Sequence, residues 1–409
     1  MKIQKLTLEG FRGFREKTEF ELHPNVNVFV GVNGSGKTSV LDAVGSLFNS
    51  EIWLNVSDLS VGSIFLSLSM LFKEMEDNEQ IELCISSKKK ENGEPDINNY
   101  EKLLTDVSVK DRMLPQKDEF IYYETNRSLK GLDTIPNAVS EEPFFVSNFN
   151  HLIEWYVNEE NNENREKVRS NLGYQNPRLM PVRKALKRFF SKLEGNKYAN
   201  LYVEIHKELN SNNYRPHLFI KKNEKPFKFN SLSDGEKMMV LLVSDIARKL
   251  TVNYEGDKPE EILNESAVVL IDEIDLHLHP AWQRDIIPAL THVFPNVQFL
   301  VTTHSPQVLS NVKKECVHII EDFKRVAFTP SIYGADSNMI LWDVFGVKKR
   351  PKHADERFRE YYKTLETEDR DTALKLLKGL QESFGENRLD VQKAKTSFEF
   401  EYDEYLPEA

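Results

Sequence analysis

Cysteine is scarce in this sequence, and so are long apolar runs. Only two cysteines, Cys84 and Cys316, occur among 409 residues. That number is too small for a disulfide framework and is typical of a reducing compartment. No apolar stretch approaches the ~20 residues that cross a bilayer, and no signal peptide is visible at the start. We therefore expect a cytoplasmic protein without membrane contact.

Basic residues are also fewer than acidic residues. The chain has 54 basic and 65 acidic residues, a formal net charge of -11. This balance does not favour a dedicated nucleic-acid-binding protein. Basic clusters at residues 183–188, 221–228 and 348–352 leave nucleic acid open as a partner, although solvated surface charge explains them more simply. His277 and His279 lack the further ligands that a zinc-finger spacing would supply, so no such site is predicted.

A complete phosphate-loop pattern, G-x-x-x-x-G-K-[ST], occupies residues 31–38. Val26, Val28, Phe29 and Val30 before it are typical of a short strand, and apolar residues recur at helical spacing after it. Glycine lets the backbone turn sharply and point its N–H groups inward, where they and the helix N-terminus attract phosphate. We predict that a nucleotide contacts Asn33, Gly34, Ser35, Gly36, Lys37, Thr38 and Ser39.

Individual roles can be assigned within the phosphate loop and to two acidic residues further along the chain. Within the loop, Lys37 is expected to reach the β- and γ-phosphates, and Thr38 to ligate Mg²⁺. Downstream, the apolar run 267–271 predicts a strand buried on both faces of a parallel sheet. Asp272 and Glu273 follow it directly. We predict that Asp272 holds Mg²⁺ through water and that Glu273 is the base toward the attacking water.

Three further residues are candidates for contact with the nucleotide phosphates, and each also has a simpler structural explanation. His304 follows the apolar strand 297–301 and is placed to sense or polarise a γ-phosphate, the alternative being a capping histidine. Ser233 begins the pattern S-x-x-E, which indicates a capped helix but also a phosphate site at a helix N-terminus. Arg12 lies in a turn between Phe11 and Phe14, where a surface residue and a cation facing phosphate are equally consistent.

The remaining chain gives coarser expectations. Two or three short strands precede the phosphate loop over residues 2–30, and residues 64–72 are consistent with a helix. Residues 80–85 alternate like a strand, whereas 88–99 read as a polar loop. A strand at 121–123 ends in polar residues 124–127. Helices dominate 148–195, short strands return over 200–229, and amphipathic helices follow residue 330.

The order of these motifs resembles the ABC-type ATPases of the SMC and RecF kind. The resemblance implies an α/β fold: an ABC-type P-loop ATPase head of mixed β-sheets with flanking helices, a short helical insertion and a helical C-terminal extension. Four segments are expected: lobe I with the phosphate loop (1–147), a helical and β insertion (148–229), lobe II with the serine motif, the acidic pair and His304 (230–330), and an extension for assembly or partner docking (331–409).

In that family two protomers pack head to tail and enclose two ATP molecules. The resemblance therefore implies at least a dimer, with ATP and Mg²⁺ as cofactors. Ser233 and Gly235 would contact the γ-phosphate bound by the other protomer's Lys37, Asp275 would lie across the interface, and His304 would be the switch histidine. The chain departs from the pattern at the Q-loop, where Asn126 is only a weak substitute for glutamine.

A narrower resemblance is to the PtuA-like ATPases of bacterial Septu and retron-associated anti-phage systems. Its residues include "IYYETNR", "LSDGEK", "LIDEIDLHLHPAWQR", "TTHSP" and "YGADSN". In that family the ATPase works beside a separate HNH nuclease, and the resemblance implies such a partner here. Neither an HNH nor a Toprim nuclease pattern occurs in this sequence, so a nuclease would be another chain. The alternatives are a RecF-like DNA-binding repair or sensor ATPase without a nuclease partner, and a scaffold that hydrolyses ATP very slowly.

Overall fold

The computed structural model describes residues 2–48, 67–73, 80–89, 95–104, 120–125 and 149–403, the last range with gaps at 171, 194, 196, 208–213, 253, 255–257, 348–349 and 368. The chain forms two compact units, Met1–Phe345 and Gly346–Ala409. None of the described helices combines the length and the apolar character needed to cross a bilayer.

The first unit contains, in chain order, β1 (Lys2–Glu9), β2 (Thr18–Glu21), β3 (Val26–Val30), α1 (Lys37–Phe48), β4 (Ser67–Lys73), β5 (Gln80–Lys89), β6 (Pro95–Leu104), β7 (Phe120–Tyr123), α2 (Phe149–Arg169), α3 (Leu179–Phe190), β8 (Tyr198–Lys207), β9 (Tyr214–Lys222), β10 (Lys225–Lys228), α4 (Asp234–Val252), β11 (Ala267–Ile271), α5 (Pro280–Val293), β12 (Val297–Thr303), α6 (Pro306–Leu309), β13 (Val317–Glu321), β14 (Lys324–Arg325) and α7 (Ser337–Asp343). The second contains α8 (Lys352–Glu366), α9 (Arg370–Phe384) and α10 (Leu389–Glu401).

A six-stranded sheet, ordered β14-β13-β3-β12-β11-β7, holds the predicted site. All of its pairs are parallel except β13 with β14. Strands β3, β11 and β12 are buried along their whole length, because α1 with strands β1 and β2 packs on one face of the sheet and α3, α4 and α5 pack on the other. Their sequences are accordingly mostly apolar. The parallel pairing brings the carboxyl ends of β3, β12, β11 and β7 to one edge.

The two faces of this sheet pack into different cores. Phe29, Leu270 and Leu300 belong to the same cluster as the apolar residues of α1. Val269 and Val301, which alternate with them, belong to the cluster built with α3, α4 and α5. The phosphate loop therefore connects a fully buried strand to a helix that is packed on one face of the sheet.

Two antiparallel sheets flank this arrangement, ordered β2-β1-β4-β5-β6 and β10-β9-β8. The helix expected over residues 64–72 is wrong, because Ser67–Lys73 is a strand paired with β1 and β5. Its sequence alternates Ser-Leu-Ser-Met, a period of two that favours a strand. The polar loop expected at 88–99 is shorter than predicted, because β5 extends to Lys89 and β6 begins at Pro95. Strand β6 lies at the edge of its sheet, where a polar sequence is tolerated.

The predicted helices of 148–195 are confirmed as α2 and α3. Arg183, from one of the basic clusters, bonds Glu163 at 2.8 Å and forms an ion pair with Glu160. Burial raises the pKa of Glu160 to about 7, against the opposing effect of Arg183. This arginine therefore neutralises buried carboxylates of α2.

The second unit is a three-helix cluster. Its core contains Phe358, Tyr361, Leu377, Val391 and Phe398. The Tyr361 hydroxyl donates to the Ala394 carbonyl at 2.8 Å, which fixes α8 against α10. Sequence analysis predicts α8 and α9 from their leucine and aromatic spacing but not α10, whose buried positions are few and separated by charged residues. The extension expected from residue 331 comprises α7, which lies in the first unit, and these three helices.

Candidate nucleotide-binding site

The phosphate loop folds around the side chain of Lys37. Its Nζ donates to the carbonyl oxygens of Gly31 at 3.1 Å and Val32 at 3.0 Å, and the side chain is buried. Gly34 and Gly36 have φ values of 79° and 108°, a region that glycine adopts without strain. The loop conformation and the start of α1 at Lys37 agree with the sequence prediction.

Ser35 and Gly31 show how tightly the loop is built. A Cβ at Gly31 would collide with the Ile320 carbonyl oxygen and the Ser35 hydroxyl. The Ser35 hydroxyl is buried and has no hydrogen-bond partner within the described part of the chain. An unsatisfied buried hydroxyl in a glycine-rich turn fits a loop that binds an oxyanion.

Asp272 is the polar centre of the sheet edge. Its carboxylate is buried and accepts hydrogen bonds from the hydroxyls of Thr38 at 3.0 Å, Thr302 at 2.5 Å and Thr125. Its own N–H donates to the Tyr123 carbonyl oxygen at 2.9 Å. The structure thus brings together the start of α1 and the ends of β11, β12 and β7. Thr38 and Asp272 meet as the sequence predicts.

Thr302 also positions Glu273, whose backbone has a φ of 49°. The Glu273 N–H donates to the Thr302 hydroxyl at 2.7 Å, and the Ile274 N–H donates to the Thr302 carbonyl at 3.0 Å. A left-handed conformation is uncommon outside glycine and persists where surrounding bonds enforce it. Sequence reasoning assigned no role to Thr125 or Thr302, although both are polar residues at the carboxyl ends of buried strands.

Burial and neighbouring charges shift the pKa values of Lys37 and His304. Burial lowers the pKa of Lys37, and the carboxylates of Asp272, Glu273 and Asp275 oppose that shift. Burial likewise lowers the pKa of His304, and the positive charge of Lys37 lowers it further. With an ordinary value near 6.5, a lowered pKa leaves the His304 imidazole neutral at pH 7, when one ring nitrogen donates and the other accepts.

Ser233 is an exposed helix cap, which confirms the capping-box pattern. The Ser233 N–H donates to Glu236 at 2.8 Å, and the Glu236 N–H lies 3.4 Å from the Ser233 hydroxyl. Burial alone would raise the pKa of Glu236, but hydrogen bonds from Lys222, Tyr198 and Ser233 hold it at about 2. The serine is therefore held on a firmly anchored helix N-terminus.

Gly235 has a steric role within its own chain. A Cβ there would collide with the carbonyl oxygen of His277, in the turn that follows the acidic pair. His277 is exposed and has a φ of 63°, whereas the His279 side chain caps α5 by accepting from the Ala281 N–H at 3.3 Å. The serine motif and this turn are thus packed backbone to backbone.

Arg12 is tied to the helix that follows the phosphate loop. It forms an ion pair with Asp42 of α1, and Asp42 also accepts from the Tyr122 hydroxyl at 2.6 Å. Its guanidinium lies 5.2 Å from the centre of the Phe11 ring, and its φ is 48°. Arg12 is therefore more firmly held than a solvated turn residue, while its predicted contact with nucleotide stays a prediction. Asn126, the weak Q-loop substitute, lies outside the described residues.

Phe323 is a residue that sequence reasoning missed. Its N–H donates to the Ser35 carbonyl at 3.0 Å, and its ring fills the space that a Cβ at Gly13 or Gly36 would occupy. The ring also packs edge-on against Phe14 at 5.5 Å. Phe323 has a φ of 59°, a left-handed conformation whose energetic cost must be offset by the packing of its ring. Phe323 thus supports the phosphate loop from outside.

Replacing Phe323 by glycine is expected to raise the KM for ATP with little change in kcat. Glycine suits the left-handed φ, so the backbone turn survives, but the ring no longer restrains Gly36. Aromatic packing worth about 1 kcal/mol corresponds to about a fivefold rise. Steady-state ATP hydrolysis measures it, with Asp322→Gly as the control because Asp322 has a φ of 46° in the same turn. An unchanged KM would remove Phe323 from the support of the loop.

This arrangement of phosphate loop, acidic pair and capped serine helix defines an ATPase of the ABC type. The fold agrees with an SMC head: a solved structure of the SmcHead bound to the C-winged helix domain of ScpA matches with a TM-score of 0.50 and 16% identity, covering 81% of this chain and 99% of that one. The chain belongs to the family described as "AAA domain, putative AbiEii toxin, Type IV TA system", which matches residues 26–310.

The curated relatives include retron ATPases and Septu proteins. The chain is 36% identical over 199 residues to the Retron Ec83 probable ATPase of Escherichia coli, matching 46% of this chain and only 36% of that protein. It is 26% identical to the Retron Vc95 probable ATPase of Vibrio cholerae, covering 83% of this chain and 78% of the relative. The Septu protein PtuA of Bacillus thuringiensis is 23% identical, with 75% and 72% covered. The chain is thus an ATPase of the SMC and ABC kind, related to retron and Septu ATPases.

Proposed function

We propose that this chain binds ATP with Mg²⁺, hydrolyses it between two copies packed head to tail, and through its nucleotide state controls a separate effector, an HNH nuclease, in anti-phage defence. The observation that carries the proposal is the convergence of Lys37, Thr38, Asp272 and Glu273 at one edge of the parallel sheet. The retron and Septu relatives support the biological setting.

The residues present fit a nucleotide and its metal ion. The buried Ser35 hydroxyl and the glycine turns fit phosphate oxygens, and Lys37 supplies the adjacent positive charge. Thr38 would hold Mg²⁺ directly, and Asp272 would hold it through water, since hydroxyl, carboxylate and water oxygens are its preferred ligands. When bound, the ion neutralises charge on the phosphates.

Glu273 is then the general base. Its backbone is fixed by Thr302, and its carboxylate is close enough to Lys37 to oppose the lowering of that lysine's pKa. It accepts a proton from the water that attacks the γ-phosphorus. Neutral His304 is suited to donate a hydrogen bond to the γ-phosphate, and Lys37 stabilises the charge that develops there.

The head-to-tail arrangement is supported by the exposed Ser233. An exposed hydroxyl at the N-terminus of an anchored helix forms a surface complementary to phosphate. In the proposed dimer Ser233 reaches the γ-phosphate held by the partner's Lys37, while Asp275 lies near the same interface. Gly235 shapes this surface through its contact with the turn at His277. The helices that follow residue 330 are proposed to serve assembly or effector docking.

The proposal is tested by measuring the mass of the purified protein and of Glu273→Gln, each with and without ATP and Mg²⁺. The protein encoded by the neighbouring reading frame is added in a second series. We expect ATP to produce a dimer or larger assembly that captures the neighbour. Masses that do not respond to ATP would contradict the head-to-tail arrangement, and an assembly that ignores the neighbour would contradict the effector role.

Adding DNA to the same protein tests the alternative function, a RecF-like DNA sensor. A RecF of Lactococcus lactis is 41% identical to this chain, but over 44 residues only, or 11% of it. A RecF-like sensor would show ATP hydrolysis stimulated by DNA and strongly reduced by salt. We expect no such stimulation, because the chain has a formal net charge of -11 and Arg183, in one of the three basic clusters, is paired with buried acids. Salt-sensitive stimulation without capture of the neighbour would favour the repair-type function.

A further inference from the structure

Gln283, near the start of α5, makes three hydrogen bonds through its side-chain amide. Its Oε1 accepts from the Ser305 hydroxyl at 2.8 Å, and its Nε2 donates to the carbonyl oxygens of Leu278 at 3.0 Å and Asp275 at 3.3 Å. The amide orientation is fixed by its partners, because two carbonyl oxygens can only accept. Gln283 therefore joins two loops that are separated along the chain.

One of these loops carries His304. The Ser305 N–H donates to the Thr303 hydroxyl at 3.0 Å, and that hydroxyl bonds the Asp275 carboxylate. The Ser305 hydroxyl also caps α6 by accepting from the Gln307 N–H at 3.1 Å. The segment around His304 is consequently held from both sides and has little freedom to move independently of Gln283.

The other loop is the turn after the acidic pair. The Leu278 N–H donates to the Asp275 carbonyl at 3.1 Å, which closes the turn. The His277 carbonyl packs against Gly235 so closely that no side chain fits between them. Ser233, the cap of the same helix, is two residues away. A displacement of this turn would therefore displace the serine motif as well.

We propose that Gln283 is a positioning residue that couples the two ATP sites of the dimer. It transmits the state of the His304 segment, which faces the chain's own ATP, to Asp275 and Ser233, which face the partner's ATP. The inference rests on the proposed function and deepens it. It explains how occupancy of one site prepares the surface that completes the other, giving cooperative binding.

The test introduces Gln283→Met into the Glu273→Gln background. Methionine keeps the length and packing of the side chain but removes all three hydrogen bonds. We expect the ATP affinity of the monomer to change by less than about twofold and the ATP-dependent dimer to form about tenfold more weakly. In the chain with Glu273 intact, the Hill coefficient for ATP hydrolysis is expected to fall toward one.

Asn311→Ala is the matched control. Asn311 Nδ2 donates to the Arg284 carbonyl at 3.0 Å, so this variant removes a polar contact of α5 without touching the turn at Asp275. We expect it to dimerise like its parent. Gln283→Glu is the second test variant, since it retains the acceptor for Ser305 but places an oxygen against two carbonyls, and it should weaken the dimer at least as much as Gln283→Met.

The outcomes separate the two proposals. If Glu273→Gln dimerises with ATP and both Gln283 variants dimerise equally well, the coupling role is overturned and the proposed function stands. If Glu273→Gln itself stays monomeric with ATP, the head-to-tail arrangement fails and the coupling fails with it. Weaker dimers with unchanged monomer affinity support the coupling, because a general loss of folding would lower both.

Discussion

Replacing Glu273 by glutamine is expected to reduce ATP hydrolysis by about a hundred- to ten-thousandfold, the usual contribution of a general base. The amide has nearly the shape of the carboxylate but does not accept a proton from water at neutral pH. The backbone of residue 273 is fixed by the Thr302 hydroxyl and is not altered by the change. ATP binding is therefore expected to persist, and the ATP-bound dimer should accumulate.

Two measurements check this result: the rate of phosphate release and the mass of the protein in ATP and Mg²⁺. Glu265→Gln is the control, because Glu265 is exposed and precedes the same strand at its opposite end. It removes the same charge, so it should hydrolyse ATP normally. Normal turnover by Glu273→Gln would assign the base elsewhere, whereas lost turnover together with lost binding would indicate a structural role.

The phosphate loop and the acidic pair could be predicted from sequence because each is local. In residues 31–38 the spacing of glycine, lysine and threonine determines both the turn and the ligand chemistry, and the apolar run 267–271 marks a strand buried on both faces. The order of these motifs carried the resemblance to ABC-type ATPases, and the fold class that the resemblance implied agrees with the SMC-head likeness.

The supporting contacts could not be predicted, since they depend on strand order. Thr125 and Thr302 reach Asp272 because β7 and β12 pair on either side of β11. Nothing in the sequence places β7 next to β11. Phe323 illustrates the same limit: it supports Gly36 only because β13 pairs with β3, far away along the chain.

Ser233 has two interpretations that sequence alone left open, and the structure makes them separable. Its hydroxyl caps α4, and its exposure leaves it available to a partner's nucleotide. Substitution by alanine would remove both roles at once. Aspartate retains the cap, since its carboxylate accepts from the same Glu236 N–H, but introduces a negative charge that phosphate repels.

Ser233→Asp is therefore expected to retain the thermal midpoint and the ATP binding of the parent. Its rate of ATP hydrolysis should fall by about a hundredfold or more, because the change removes one preorganised donor and adds charge repulsion. Ser233→Arg is expected to abolish hydrolysis in the same way through its bulk. Ser231→Asp is the control, because Ser231 is exposed nearby and bonds only the Lys228 carbonyl among the described contacts. Hydrolysis by Ser233→Asp at the parental rate would reduce Ser233 to a cap.

Mixing two inactive variants shows whether the serine acts on its own chain or on a partner. Lys37→Ala damages the phosphate loop of one protomer, and Ser233→Arg damages the motif of the other. In a head-to-tail dimer the intact Lys37 of the second protomer meets the intact Ser233 of the first, so one complete site forms. We therefore expect the mixture to recover hydrolysis that neither variant shows alone. If both groups acted within one chain, every protomer in the mixture would remain defective and no activity would return.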